Sequence, residues 1–402
     1  MKVENRGFKK PRNTQYLRDS NRAEILRYLA TKGTASRIGL SNQLRLTKMA
    51  ISTIVAELLE ENLLEECGPI NGSLNQTASG YSGRKAIALA IPNYRINAIG
   101  IFILRYQIKG IAIDIKGNII YSTKIDLPID TNNENFIELN ITLIQEILNA
   151  TSSTKFTGIG IASIGPLDIY KQKILNPPNF RDIHEVCIGD IIREHFGLPV
   201  FLDNDMNAGA LAEHLYGIAK NMRDIVYLGL GSGVGAGIIV NGRMLHGSGG
   251  YAGEIGHMSI QSDGLKCSCG RNGCLELYTN TISLLQNAGV STIKELLEEE
   301  SREPRNERVQ QCIKDYFESI LNALVTIVNL FDPEIVIIGD QGAYIVPLFI
   351  EKLEGDMNKL MFQYENQKIH IAASSFGEAA PLVGAAALVF QKVFNSEVPL
   401  NL

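Results

Sequence analysis

Four potential metal ligands within one short segment constrain this chain more than any other feature. His257, Cys267, Cys269 and Cys274 offer one imidazole and three thiols, with nine, one and four residues between them. One nitrogen and three sulfurs suit tetrahedral zinc, and four protein ligands leave no position for water, which is typical of a structural Zn²⁺ site. Four unrelated buried residues are the alternative, but half of the chain's six cysteines fall within eight residues, which favours zinc.

Two carboxylates accompany these ligands. Glu254 precedes His257 by three residues, and Glu276 follows Cys274 by two. On a metal-stiffened loop such carboxylates are well placed to accept hydrogen bonds from sugar hydroxyls. The combination of AGEIGH with C-x-C-G-x-x-G-C-x-E resembles the signature of the ROK family, which contains bacterial sugar kinases and sugar-responsive repressors. The resemblance covers essentially the whole chain, and it implies that Glu254, His257 and Glu276 contact a sugar.

Length and charge indicate more than one domain. A chain of 402 residues is too long for one ordinary core. It contains no apolar run of eighteen residues, and its basic N-terminus lacks an apolar centre, so we expect no transmembrane helix and no secretory signal. Free thiols beside a zinc site fit a reducing cytoplasm. Residues 1–88 carry 14 Lys and Arg against 8 Asp and Glu, whereas the remainder carries 24 against 35. This asymmetry is typical of a DNA-binding head on a small-molecule domain.

The N-terminal segment has the spacing of three short helices. The positions that we expect to be buried are Ile25, Leu26, Leu29 and Ala30 in a first helix from Asn21, Ile38, Leu40 and Leu44 in a second over 37–45, and Ile51, Ile54, Val55 and Leu58 in a third. Gly33 ends the first helix, Thr34 or Ser36 caps the second, and Thr47 caps the third. Three helices with a tight turn at residues 45–47 predict a helix-turn-helix.

The third helix is the expected recognition helix. Its exposed face carries short polar side chains and one lysine that can reach phosphates and base edges: Thr47, Lys48, Met49, Ser52 and Thr53. Residues 65–91 read as a β-wing with Arg84 and Lys85 near its base, and the arm before the first helix adds Lys9, Lys10, Arg12 and Arg18. A small protein-interaction domain is the alternative. The segment also resembles the N-terminal domain of ROK repressors, which ROK sugar kinases ordinarily lack.

The rest of the chain predicts an α/β body. Three strands from Asn97, a helix over 134–150 and a buried strand over 156–164 are how an actin-like or hexokinase-like lobe begins. A glycine-rich hairpin over 225–245, a helix over 312–331 and a strand over 333–339 predict a second lobe. We therefore expect a winged helix-turn-helix at 1–92, one lobe at 93–203 to which the C-terminal helix 380–402 returns, and a second lobe with the zinc loop at 204–379.

The resemblance assigns further cleft residues. Asp205 stands where ROK kinases place the general base that takes a proton from the sugar hydroxyl, and Asn204 and Asn179 resemble sugar-binding amides of the family. From the residues alone, Asp205 lies at a strand end that leads into a helix, so it is also a candidate helix N-cap. Its neighbour Asp203 reads as a turn or cap carboxylate.

The phosphate-binding elements depart from the kinase pattern. Where ROK kinases have an Asp-x-Gly-x-Thr type turn, this chain has Arg105, Tyr106 and Gln107, whose side chains would obstruct a phosphate. Asp340 replaces a glycine that is usual on the adenosine side. The glycine-rich turn over 229–237 is retained, but a glycine turn alone is weak evidence. A retained sugar pocket with altered nucleotide elements indicates a sensor.

The function predicted from the sequence is a sugar-responsive transcriptional repressor, not an enzyme. It would bind operator DNA as a homodimer, or as a tetramer, and respond to a monosaccharide such as xylose, the sugar implied by a likeness to xylose-repressor-type members of the family. The alternatives are an ATP-dependent sugar kinase with an added DNA-binding domain, and a repressor whose body binds a protein partner.

Overall fold

The computed structural model describes residues 14–69, 86–362 and 367–398. The first of these segments holds three helices: α1 (Thr14–Lys32), α2 (Arg37–Leu44) and α3 (Lys48–Glu60). The hydroxyls of Ser36 and Thr47 accept backbone N–H groups in the first turns of α2 and α3, which confirms both expected caps. Arg45 takes a left-handed conformation with φ 53° and makes the tight turn between the two helices.

Two details of the helical segment differ from expectation. Helix α1 begins at Thr14, seven residues before Asn21, and Leu17 in this extension is 49% exposed. Ile38 is 55% exposed and not buried, since α2 turns Leu40 inward and leaves Ile38 on its outer side. The other predicted core positions are buried, apart from Leu44, which is half-buried.

A short antiparallel pair follows the helices: β1 (Glu65–Pro69) and β2 (Ile87–Ala90). Leu89 of β2 is fully buried and exchanges backbone hydrogen bonds with Ala35, so the pair packs against the helices. Arg84 and Lys85, and the arm residues Lys9, Lys10 and Arg12, lie outside the described residues.

The body contains two five-stranded sheets. The first sheet has the order β5-β4-β3-β6-β9 and consists of β3 (Asn97–Ile103), β4 (Gln107–Asp114), β5 (Ile119–Asp126), β6 (Ile159–Ser163) and β9 (Val200–Asn204). Around it lie α4 (Asn133–Ala150), α5 (Ile188–Phe196) and a small pair, β7 (Leu167–Asp168) with β8 (Lys173–Ile174).

The second sheet repeats this topology. Its order is β12-β11-β10-β13-β14, and its strands are β10 (Ile225–Leu230), β11 (Val234–Val240), β12 (Arg243–Met244), β13 (Ile335–Gly339) and β14 (His370–Ala373). In each sheet the first strand pairs antiparallel with the second and parallel with the fourth. The body therefore contains two α/β units with the same strand order.

Eight helices complete the described part of the body: α6 (Asp205–Leu215), α7 (Glu276–Thr279), α8 (Thr281–Ala288), α9 (Ile293–Glu300), α10 (Glu307–Phe331), α11 (Gly342–Ile345), α12 (Ile350–Leu360) and α13 (Ala380–Phe394). None of the helices in the described residues is long and apolar enough to span a bilayer.

Close helix packing joins the two lobes. Helix α13 packs on β3 and β6 of the first sheet and on α6, which follows that sheet and also contacts β10 and β11 of the second. Gly384 makes the contact between α6 and α13 possible, because a Cβ atom at this position would overlap the backbone carbonyl of Ala208. The C-terminal helix therefore lies against the first sheet.

The helical head and the body share one apolar core. Ile25 and Leu29 of α1 belong to the same buried cluster as Leu211 and Leu215 of α6 and Phe390 of α13. The shared cluster means that the head is packed directly on the body along α1.

A polar contact lies at the same interface. Arg27 Nη2 of α1 is 3.4 Å from Nε2 of His214, which is in the last turn of α6. Burial, and secondarily the Arg27 guanidinium, lowers the pKa of His214 to about 4. The imidazole is therefore neutral near pH 7 and can accept a hydrogen bond from Arg27.

Candidate metal centre and ligand cleft

The sequence-predicted zinc ligands come together. One ligand atom each from His257, Cys267, Cys269 and Cys274 lies within 4.8 Å of the others. The sulfurs of Cys269 and Cys274 are 3.5 Å apart, and Cys267 Sγ is 3.7 Å from His257 Nδ1. Two thiolates bound to one tetrahedral zinc ion at 2.3 Å would lie about 3.8 Å apart. The donor set and its spacing therefore fit a metal ion.

Glycines make this loop possible. Gly270 and Gly273 have φ angles of 93° and 71°, and a Cβ atom on Gly273 would overlap the backbone of Gln261. The backbone N–H of Cys267 donates to the carbonyl of Arg271, which closes the loop around the cluster. The chain reverses direction in this loop with the help of left-handed glycines.

The metal cluster is tied to both candidate sugar-binding carboxylates. The backbone N–H of His257 donates to the Glu254 carbonyl at 3.2 Å, and Glu276 begins α7 two residues after Cys274. The Glu276 carboxylate accepts the backbone N–H of Val234 at 3.1 Å, beside the glycine-rich turn between β10 and β11. The loop thus fixes the positions of Glu254 and Glu276 relative to each other.

These carboxylates face a large cleft. Its volume is about 640 Å³, and residues of both sheets line it. Five of the six predicted sugar-binding residues are among the lining residues: Asn204, Asp205, Glu254, His257 and Glu276. Asn179 is not among the described lining residues; it is exposed, and the neighbouring Pro178 forms the wall at that point.

The strand end after β9 positions Asn204 and Asp205. Asn204 is the N-cap of α6, and its side-chain oxygen accepts the N–H of Met206 at 2.9 Å. Asp205 is therefore the first helical residue and not the cap, although its carboxylate also accepts that N–H at 3.0 Å. This places the Asp205 carboxylate at the cleft wall.

Asp203 has a different environment. It is a buried residue of β9, and its carboxylate lies 2.7 Å from His246 Nε2 and 2.8 Å from Asn207 Nδ2. The expected turn or cap role is wrong, because Asp203 faces the interior, where it joins β9 to α6 and to the segment that follows β12.

Burial, and secondarily neighbouring carboxylates, raises the pKa values of three acidic side chains in the cleft. Burial, then Asp340, then Glu254 raises the pKa of Asp205 to about 7. Burial, then Glu378 raises the pKa of Asp340 to about 6, against the opposing effect of Lys109. Burial and the charge of Glu276 also raise the pKa of Glu254, although His257 lowers it.

Asp340 occupies an unexpected place. Its backbone is left-handed, with φ 53°, and its carboxylate lies so close to Gly231 that a Cβ atom there would overlap it. Gly231 belongs to the glycine-rich turn, so a half-buried carboxylate lies directly over that turn. The sequence identified the substitution at 340, but it gave no sign of the contact or of the roles of Lys109 and Glu378 in the cleft wall.

The face of α3 is open to solvent. Thr47, Lys48, Met49, Ser52 and Thr53 are all exposed, with Met49 exposed to 81%. The Thr47 hydroxyl is engaged in capping α3, so Lys48, Met49 and Ser52 form the more available part of this face.

Arg18 is placed differently from the expected arm. It lies within α1 and forms a two-point ion pair with Glu57 of α3. Because its guanidinium is engaged with Glu57, Arg18 connects two helices of the head and is not part of a free basic arm.

Known proteins are similar to this chain over nearly its whole length. A xylose repressor of Caldicellulosiruptor bescii is 28% identical over 95% of this chain and 98% of its own length. A crystal structure of a ROK family transcriptional regulator, a homologue of the E. coli Mlc protein, has a TM-score of 0.76, with 24% identity over 95% of this chain and 98% of that one.

A ROK family glucokinase from Streptomyces griseus, solved with glucose and AMPPNP, has a TM-score of 0.62, with 24% identity, and matches 73% of this chain and 99% of its own. The body therefore has the mixed α/β fold that ROK regulators and ROK sugar kinases share. The family model of ROK proteins matches residues 98–392, and this chain belongs to the ROK family.

Proposed function

We propose that this protein is a sugar-responsive, DNA-binding transcriptional repressor of carbohydrate-utilisation genes. The observation that carries the proposal is the pairing, in one chain, of an exposed polar helix face on a three-helix head with a carboxylate-lined cleft in a ROK body. Similarity to a xylose repressor over nearly the full length of both chains supports the pairing. A DNA partner also implies a cytoplasmic location.

The head, residues 1–92, is proposed to be a winged helix-turn-helix. Helix α3 would enter the major groove and present Lys48, Met49 and Ser52, with Thr47 and Thr53 at the margins. The β1–β2 pair is the candidate wing, and Arg84 and Lys85 would contact the backbone of the operator. A homodimer would match a palindromic operator, since a two-fold protein reads two half-sites.

The cleft is proposed to hold a monosaccharide such as xylose. Asn179, Asn204, Asp205, Glu254, His257 and Glu276 are the proposed contacts, because carboxylates, amides and imidazole nitrogens can bind several hydroxyls at once. A structural zinc ion is proposed for the four-ligand cluster, where it would hold the loop that carries Glu254 and precedes Glu276. The lobes would be residues 93–203 with 380–402, and residues 204–379.

The surroundings of the glycine-rich turn and the side chains of the β3–β4 turn argue against an enzymatic role. A triphosphate requires backbone amides and cations around it. Here the Asp340 carboxylate lies over Gly231. In the β3–β4 turn, the bulk of the Arg105 and Tyr106 side chains obstructs the close approach of a phosphate to the backbone. An anion held against a second anion at low dielectric is strongly repelled. We therefore propose that the kinase-like fold no longer uses ATP.

Helix α6 offers a route from cleft to head. Its first residue, Asp205, lines the cleft, and its last turn carries His214 against Arg27 of α1. A helix is stiff over eleven residues, so a ligand that displaces Asp205 also displaces His214. Differential affinity of a sugar for two lobe arrangements would then change the position of the head.

A thermal-shift panel combined with an operator gel shift tests the proposal. The panel contains D-xylose, D-glucose, N-acetylglucosamine and ATP-Mg. A ligand at one hundred times its Kd adds about 2.7 kcal/mol to the free energy of unfolding. We expect stabilisation by at least one sugar, a change in operator affinity with the same sugar, and no effect of ATP-Mg. Stabilisation by ATP-Mg with sugar-dependent ADP release would instead establish a kinase.

A further inference from the structure

The β3–β4 turn of the first sheet makes contacts that a phosphate-binding turn could not make. Arg105 is half-buried and lines the cleft, and Tyr106 is 62% exposed. The turn is fixed at its base, because the N–H of Leu104 donates to the Gln107 carbonyl at 2.9 Å. Its two central side chains both reach towards the loop that precedes α5.

Arg105 makes the first contact. Its Nη1 atom donates to the backbone carbonyl of Pro178 at 2.7 Å. A charged donor on a neutral carbonyl is among the stronger hydrogen bonds of proteins, and this one bridges two segments 73 residues apart.

Tyr106 makes the second contact. The Arg181 guanidinium lies over its ring, 5.1 Å from the centroid, and Arg181 Nη2 also donates to the Leu127 carbonyl at 3.3 Å. Cation–π contacts of this kind hold a side chain in place without burying it. The turn thus contacts the loop on both sides of Asn179, at Pro178 and at Arg181.

The backbone of this loop has an unfavourable conformation at two residues. Asn179 and Arg181 have φ angles of 57° and 48°, in the left-handed region that non-glycine residues rarely adopt. Between them Phe180 is fully buried, edge-on to Phe136 with 5.7 Å between ring centroids. Residues 178, 180 and 181 are therefore anchored, and Asn179 is left at the apex beside the cleft wall.

We propose that Arg105 is a positioning residue for the effector, which holds the 178–181 loop, and Asn179 with it, in the geometry that binds the sugar. This inference rests on the proposed function. The β3–β4 turn, which holds phosphate in ROK sugar kinases, would thus act on the sugar indirectly, by holding the 178–181 loop in place. Tyr106 with Arg181 forms the second half of this clasp, which we define as Arg105, Tyr106, Pro178 and Arg181.

Isothermal titration with D-xylose tests the role of Arg105. Loss of one charge-assisted hydrogen bond predicts about a tenfold rise in Kd for Arg105→Ala. Arg105→Lys retains a charged donor and should recover part of the affinity. The matched control is Arg193→Ala, which removes an exposed arginine paired with Asp190 in α5 and should leave Kd unchanged.

A double-mutant cycle separates positioning from other roles. If Arg105 acts through the loop, Arg105→Ala adds little to the Kd of Asn179→Ala, whereas independent contributions would multiply. Operator affinity without sugar should stay at the wild-type value in every variant. If Arg105→Ala does not fold, Tyr106→Leu removes the other half of the clasp and should raise Kd in the same non-additive way.

The outcomes distinguish the two proposals. An unchanged Kd in Arg105→Ala, or multiplicative effects in the cycle, would overturn the positioning role while leaving the sugar sensor intact. Wild-type protein that binds neither D-xylose nor D-glucose nor N-acetylglucosamine would overturn the proposed function, and the clasp's role in sugar binding with it.

Discussion

The protonation state of Asp205 leads to a quantitative prediction for effector binding. Burial first, and then the charges of Asp340 and Glu254, raises the pKa of this carboxyl to about 7 in the folded protein. A protonated carboxyl has less capacity to accept hydrogen bonds from sugar hydroxyls than a carboxylate. Sugar binding therefore favours the ionised form, and affinity should rise with pH.

The magnitude follows from the pKa. A group with a pKa of about 7 is roughly one tenth ionised at pH 6 and roughly nine tenths ionised at pH 8, so Kd should fall about tenfold over this range. The free energy of unfolding changes with pH in the opposite direction to sugar affinity. Because the pKa is raised above its unfolded value, the folded state holds an extra proton between about pH 4 and 7, and the contribution of Asp205 to the free energy of unfolding decreases as pH rises through this window.

Calorimetric titration of D-xylose at pH 6, 7 and 8 measures the effect. Asp205→Asn, which keeps the shape of the side chain but cannot ionise, is the matched variant and should bind more weakly, with a flatter pH profile. A wild-type Kd that does not change between pH 6 and 8, or an equal slope in Asp205→Asn, would refute this reasoning. A Kd that rises with pH would mean that the protonated carboxyl donates to the sugar.

Four further predictions concern the metal loop, the packing and the head. Cys274→Ser, or dialysis against a chelator, should lower the melting temperature in thermal unfolding. It should also abolish the sugar response while operator binding persists, as gel shifts with and without sugar would detect. Gly384→Ala should destabilise the protein by about 1–3 kcal/mol in denaturant unfolding, because its methyl group would overlap the α6 backbone, whereas Gly355→Ala in the open helix α12 should be neutral or stabilising. Lys48→Ala should weaken operator binding and reduce its salt slope by about 1, as measured by fluorescence anisotropy at several salt concentrations. Arg27→Ala should leave sugar affinity within a few-fold of wild type but reduce the change in operator affinity that sugar causes, and an undiminished change would argue against α6 as the route.

Local patterns predicted most of the elements. The caps Ser36 and Thr47, the strands after Asn97 and the clustering of the zinc ligands all depend on neighbours within about thirty residues. Sequence spacing contains this information directly, because capping and metal binding need particular side chains at fixed separations. Of the cleft residues predicted from the family resemblance, all except Asn179 line the cavity.

Contacts between segments that are distant in sequence could not be predicted from local sequence patterns. Arg18 is engaged by Glu57, 39 residues away, and Ile38 is exposed because of how α2 docks on its neighbours. The Asp340 carboxylate reaches Gly231 only after β10 and β13 pair in the sheet. A periodic pattern states which face of an element is apolar, but it does not state which partner covers that face.

The continuous core of head and body has a consequence for how such regulators can be recombined. Because Ile25 and Leu29 pack in one cluster with Leu211 and Phe390, the boundary between DNA reading and sugar sensing is an apolar surface and not a tether. A chimera that joins this head to the body of another ROK protein must carry over the complementary faces of α6 and α13 as well. Exchange of operator specificity should therefore succeed through substitutions on the outer face of α3, whereas exchange of whole heads should yield repressors that bind DNA but ignore the sugar.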